Sequence, residues 1–161
     1  MRLHLLAIGR LKTGPEKLMA DDYAGRIEVM GRKAGITNLK IGEWAESQSA
    51  TAKQRMDDEA AILWGAVPQS SHCMVLDERG TSHSSENFAG RIRKCADLGV
   101  SDLVFMIGGP DGHAPKTREK SNELIALGPM TWPHRLVRIM LLEQIYRSVT
   151  IMVNHPYHRP S

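Results

Sequence analysis

Short apolar runs alternate with longer amphipathic stretches along this chain, and the alternation predicts its elements. Leu3 to Ile8 reads as a first strand. Thr13-Gly14-Pro15-Glu16 then opens a helix, with Pro15 in the first turn and Leu18, Tyr23, Ile27 and Met30 along one side. Asn38 to Ile41 is a short second strand. A helix from about Ser49 to Ala66 carries Met56, Ala60 and Leu63 on one face, and Pro68 closes it. The third strand, His72 to Leu76, ends in the turn Asp77-Glu78-Arg79-Gly80. Ser84 or Ser85 caps the next helix, on which Phe88, Ile92 and Cys95 recur at helical spacing until Gly99. Asp102 to Ile107 is almost wholly apolar, as a strand covered on both faces must be. After Gly108-Gly109-Pro110-Asp111-Gly112 the pattern predicts a helix from about Lys116 to Leu127 and a break at Gly128-Pro129. A long helix from about Pro133 to Val149 follows. Strand and helix alternating in this way predict an α/β fold with a parallel sheet. No repeat, biased segment or linker interrupts it, so residues 1–161 read as a single domain.

Composition narrows the function classes. Hydrophobic residues at 42% and charged residues at 24% exclude a disordered chain. A net charge of +3 and a pI near 9.0 suit a polyanionic partner without requiring one. Only 5% of residues are aromatic, which argues against a stacking platform for single strands. Cys73 and Cys95 lie far apart and inside apolar patterns, so they read as buried free thiols, neither a disulfide framework nor a zinc motif. The apolar run in Met1 to Arg10 is too short for a signal peptide, and no run approaches a membrane span. The expected compartment is the cytoplasm.

Three loops attract attention as chemistry. In open parallel sheets ligands sit beyond the carboxyl ends of the strands, where glycine lets the backbone approach closely. Ile107 to Gly112 fits that place, although it is equally readable as a tight turn. It has neither a dinucleotide fingerprint nor a phosphate-loop ending, which disfavours a phosphate-anchored cofactor. Leu76 to Gly80 belongs on the same sheet edge. Leu127-Gly128-Pro129-Met130-Thr131-Trp132-Pro133 cannot be helical, and its free backbone groups suit a neutral ring such as adenine.

The last helix is apolar on more than one side, through Leu136, Val137, Ile139, Met140, Leu141, Leu142, Ile145, Tyr146 and Val149. This predicts two packing partners, the sheet and either a second subunit or the rest of a monomer core. Glu143 and Arg147 form a favourable helical pair. His134, Arg135 and Arg138 crowd the helix start, where cations oppose the dipole, and so read as either an anion site or a solvated face. The tail Asn154-His155-Pro156-Tyr157-His158-Arg159 offers proton-transfer groups. Its two histidines lack a carboxylate or cysteine nearby, so no metal site is expected.

Taken together, Leu76-Asp77, Phe105 to Gly112, Met130-Thr131-Trp132-Pro133-His134-Arg135-Leu136-Val137-Arg138, Glu143-Gln144-Ile145-Tyr146-Arg147 and Asn154-His155-Pro156-Tyr157-His158 resemble the ribosomal RNA large subunit methyltransferase H family. That family lies within the SPOUT superfamily of knotted methyltransferases. The resemblance spans essentially the whole chain, and its C-terminal signature is the specific part. It implies a C-terminal trefoil knot, against the usual unknotted rule, and a homodimer with the knot at the interface. It implies methyl transfer from S-adenosylmethionine to N3 of a pseudouridine in 23S rRNA within the assembled ribosome, with neither DNA nor membrane as partner.

Carried over by motif, cofactor contacts fall on Leu76, Gly108, Leu127, Gly128, Pro129, Met130, Thr131 and Trp132. Gly128-Pro129 departs from the family, whose members often have serines there, so contacts at that point must come from backbone. His155, His158 and Tyr157 are the candidate catalytic or substrate-orienting groups, delivered by the tail to a partner's site. Arg135, Arg138 and Arg159 are the candidate phosphate contacts. Two other readings remain open at this point, a SPOUT methyltransferase acting on tRNA and a ribosome-binding factor without catalysis.

Overall fold

A computed structural model describes residues 1–159. Five strands, β1 (Arg2–Ile8), β2 (Asn38–Trp44), β3 (His72–Ser82), β4 (Asp102–Ile107) and β5 (Glu123–Ala126), form one sheet in the order β2-β1-β4-β3-β5. Every pairing is parallel. Four helices connect them, α1 (Pro15–Gly31), α2 (Ala52–Gly65), α3 (Ser85–Asp97) and α4 (Pro115–Lys120), and α5 (His134–Met152) follows the last strand.

The two-residue period of a strand divides the core. Leu3, Leu5 and Ala7 of β1, with Leu103, Phe105 and Ile107 of β4, face a cluster completed by α1, α3 and α5. Leu6 and Ile8, with Val104 and Met106, face the other way and pack with Leu63 of α2. All six residues of β4 are buried, as the apolar run requires. At the opposite end of the sheet from the strand-end loops, Arg2 and His4 hold Asp102 at 2.6 and 2.7 Å. The Arg2 hydrogen bond is the main cause that lowers the Asp102 carboxyl to about 2.

Local signals act where expected at the helix starts. Thr51 and Gln54 close a reciprocal capping box on α2, and Ser84 accepts the Asn87 amide at the start of α3. Leu18, expected on the inner side of α1, is 71% exposed. The inner positions are Ala20, Ile27 and Gly31.

Three expectations need correction. The predicted helix over Lys116–Leu127 stops at Lys120, and Glu123–Ala126 is the fifth strand. Asn122 decides this, because its side chain accepts the Cys73 amide at 2.7 Å while its own amide donates to the Cys73 carbonyl at 3.0 Å. Pairing with the sheet there overrides the helical preference of Leu124 and Ala126. Likewise β3 does not end at Leu76. It leaves the ladder over Asp77–Gly80 and pairs again with β5 through Thr81 and Ser82, so the expected turn is a wide bulge inside one strand. Finally, α5 finds its second partner within the chain. It lies between α1 and α3, and this single chain already buries Ile139, Leu141, Leu142, Ile145 and Val149. The single chain leaves Leu136 exposed and Val137 and Met140 half-buried on this helix.

Candidate active site at the carboxyl ends of the strands

A cavity of about 550 Å³ opens between the bulge of β3 and the carboxyl ends of β4 and β5, within the usual range for a small-molecule site. Its walls include Leu76, Ile107, Gly108, Leu127, Gly128, Met130, Thr131 and Trp132. Leu76 and Gly108 face it from β3 and the glycine loop. The remaining lining of the candidate cofactor set comes from the segment joining β5 to α5. Pro129 is the one member of that set not on the wall. Gly128 has a φ of +101°, which a side chain would strain, and the Trp132 indole donates to the Leu127 carbonyl at 3.3 Å. Those two features fold the segment back over the cavity.

Charged pairs brace the rim. Arg118 of α4 donates to Asp77 at 2.6 Å and the Arg79 amide donates to it at 3.0 Å. Burial opposes ionisation of Asp77, but these donors outweigh it and hold the carboxyl below its ordinary value. Arg55 of α2 grips Asp111 of the glycine loop through two bonds of 2.7 and 3.0 Å. Beneath Gly108 lies His113, 4% exposed. Its burial pushes the imidazole down to about 4, so the ring is neutral, and its Nε2 has no partner. An uncharged imidazole, glycine backbone and apolar walls form a surface suited to a neutral ring and its hydroxyl or amino donors.

The arginines separate. Arg135 is on the surface, 3.7 Å from Glu16, and Arg159 is exposed. Arg138 turns inward instead, 3% exposed, bonded to Glu43 and at 2.6 Å to the Gly9 carbonyl. It is thus no phosphate contact in this structure. It ties α5 to the ends of β1 and β2, and Glu43 in turn accepts the Leu11 amide at 3.3 Å. Burial lowers the Arg138 guanidinium from its ordinary value, with Glu43 opposing. Replacing Arg138 with Met should cost roughly 3–5 kcal/mol, because Glu43 and the Gly9 carbonyl lose their buried partner. Equilibrium denaturation measures this, and a variant as stable as its parent would return Arg138 to the list of RNA contacts.

The tail docks on its own chain. Tyr157 stacks edge-on against Tyr146 with ring centres 4.8 Å apart, lies under Arg147, and donates to Glu143 at 3.0 Å. Burial, with Tyr23 and Glu143, holds this phenol protonated far above its ordinary value. His155 Nδ1 accepts the Tyr157 amide at 3.2 Å, and His158 Nε2 meets Glu86 at 2.7 Å. None of His155, Tyr157, His158 and Arg159 lines the 550 Å³ cavity of the same chain.

The family described as "Predicted SPOUT methyltransferase" matches residues 1–158. The protein named ribosomal RNA large subunit methyltransferase H from Bradyrhizobium sp. (strain ORS 278) is 48% identical over 159 residues, covering 99% of this chain and 98% of its own. The chain belongs to this family of SPOUT methyltransferases. The protein of the same name from Nitrobacter winogradskyi is 47% identical, with 99% of both chains covered. Among solved structures, a methylase family protein from Neisseria gonorrhoeae shares the fold at a TM-score of 0.50 and 12% identity. That match covers 99% of this chain and 86% of the other.

Sequence reasoning for this methyltransferase missed His113, Asp77–Arg118 and Glu59 of α2. Of these, only Glu59 left a trace, as a charge three residues after Met56 on the face expected to be apolar.

Proposed function

We propose that this chain transfers a methyl group from S-adenosylmethionine to N3 of a pseudouridine in the large-subunit rRNA of the assembled ribosome, working as a cytoplasmic homodimer. The observation that carries the reading is the meeting of the β3 bulge and two strand-end loops around one cavity in a chain of this family. The family also carries the expectation of a trefoil knot in the C-terminal segment that closes over the cavity.

Leu76, Gly108 and Leu127 to Trp132 would hold the cofactor, which supplies an electrophilic methyl on a sulfonium. Positive charge fades from that sulfur during transfer, so walls built of Leu76, Ile107, Leu127 and Met130 favour the change. The chain's main contribution is to align acceptor and methyl. The acceptor's imide proton must also leave. A tail that docks away from its own cavity is available to a partner's, which supports a site shared between subunits. Within it, Glu86 accepts from His158 Nε2, which leaves the Nδ1 lone pair as the candidate base; that atom is buried in the single chain and would meet the acceptor only in the shared site. His155, whose Nδ1 is already an acceptor, presents an Nε2–H donor suited to orienting the base. Tyr157 pins the tail through Glu143. Arg135 and Arg159 position phosphates, and exposed Arg10 and Lys12 beyond the end of β1 extend that surface in place of Arg138.

Mass spectrometry of rRNA from cells lacking the protein tests the activity. One methyl should disappear from a pseudouridine and return when purified protein, S-adenosylmethionine and ribosomes are combined. Unchanged rRNA, or a methyl lost from tRNA alone, would overturn the assignment.

A further inference from the structure

Among the described residues two carboxylates are buried, Glu59 and Asp102, and unlike Asp102, which Arg2 and His4 hold, Glu59 has no bonded cation. It is 3% exposed, yet no arginine or lysine bonds to it. Its Oε1 accepts the Ser47 amide at 3.0 Å, and Oε2 has no hydrogen-bond partner among the described residues, the Gly109 backbone lying beside it without a bond. A Cβ placed on Gly109 would lie 2.5 Å from Oε2 and 2.8 Å from Oε1, so the carboxylate rests directly on the backbone of the glycine loop. One helical turn earlier, Arg55 grips Asp111 of the same loop. Two successive turns of α2 therefore hold residues 109 and 111, and Glu59 joins them to the loop that follows β2. Glu59 does not line the cavity.

We infer that Glu59 is a positioning residue, which sets the Gly108–Gly109 backbone for S-adenosylmethionine through direct packing of its carboxylate on Gly109. The inference rests on the proposed role of the glycine loop in cofactor binding.

The location is costly for the fold. Burial raises the Glu59 carboxyl above its ordinary value. Asp111 from the glycine loop and Glu46 from the loop after β2 push the same way, while the Ser47 and Gly109 amides oppose. Arg55, on the same helix, is the nearby cation. For an acid raised in the folded state, ionisation costs stability at neutral pH, and the cost is relieved as pH falls through the raised value.

That cost separates positioning from a purely structural role experimentally. Glu59→Gln removes the charge but keeps an acceptor for Ser47. At pH 7.5 the full-length variant should melt at or above the parent temperature, yet bind S-adenosylmethionine about tenfold more weakly by calorimetry. Affinity in the parent should fall as pH is lowered and stay flat in Glu59→Gln. Gly109→Ala should also weaken binding, because its methyl and the carboxylate compete for one space. Adding Glu59→Ala to Gly109→Ala should cost nothing further, since the methyl then fills the vacated space. Parallel loss of melting temperature and affinity in Glu59→Gln, or additive losses in the double variant, would overturn the inference. So would parental affinity in both Glu59→Gln and Gly109→Ala. In that case a binding loss in Gly108→Val would leave the glycine loop in the cofactor site, and its absence would remove the loop as well.

Discussion

Gly108→Val should reduce S-adenosylmethionine binding by roughly 100-fold or more, while circular dichroism shows a folded protein. A Cβ at this position would already stand 3.1 Å from the His113 ring and 3.2 Å from the Gly112 carbonyl. His113 is buried beneath the loop and all three residues line the cavity, so the branched methyls take up cavity space. Overpacking of this kind costs about 1–3 kcal/mol, and at its upper end that is a loss of about 100-fold. Ligand and side chain compete for the same volume, so the penalty falls on binding more than on folding. Calorimetry on the purified variant provides the measurement. Parental affinity in a folded Gly108→Val protein would exclude the loop from the site.

The second large effect concerns the tail. Deleting the chain from Asn154 onward should leave the fold, the dimer and most cofactor affinity intact, while methyl transfer to ribosomes falls about 10²–10⁴-fold. The fold survives because the deletion removes Tyr157 from an aromatic pair whose other member, Tyr146, stays packed near Tyr23. A mixed dimer asks the finer question. One subunit lacks the tail, and the other carries Gly108→Val. If the tail acts on the partner's cavity, the intact cavity of the first and the intact tail of the second form one working site, and activity returns. An inactive mixed dimer means that each tail serves its own subunit. Full activity of the simple truncation would remove the tail from the reaction.

What could be read beforehand followed how local each cause was. β1 and β4 announced themselves because their apolar runs have no helical period, and α3 because Ser84 and the spacing of Phe88, Ile92 and Cys95 agree. The three loops were legible from glycine and proline alone, and seven of the eight residues assigned to the cofactor do line the cavity. β5 was not legible. Four residues give too short a record to show a two-residue period, and the partner that makes them a strand is β3, some 49 residues away where Asn122 meets Cys73. Arg138 failed as a surface residue for the same kind of reason. Its cluster with His134 and Arg135 looked like one basic patch because residues three and four apart share a helix face, but Arg138 meets Glu43, 95 positions earlier, and the Gly9 carbonyl. Glu59 and His113 gain their significance from Gly109 and Gly108, and beyond the misplaced charge of Glu59 such contacts leave no periodic signal.

The pairing of β1 with β4 also dictates how the chain must come to this structure. Arg2 aligns with Asp102, a separation of 100 residues, and β1 reaches the centre of the sheet only through that partner. During synthesis β1 can first pair only with β2, so its other edge stays open until residue 102 has emerged. Closing so long a loop before any central contact forms makes folding slow, in the millisecond-to-second range or longer. Through that interval Leu3, Leu5 and Leu6 lie on an uncovered apolar edge, which makes the half-made chain a substrate for chaperones and a source of aggregation.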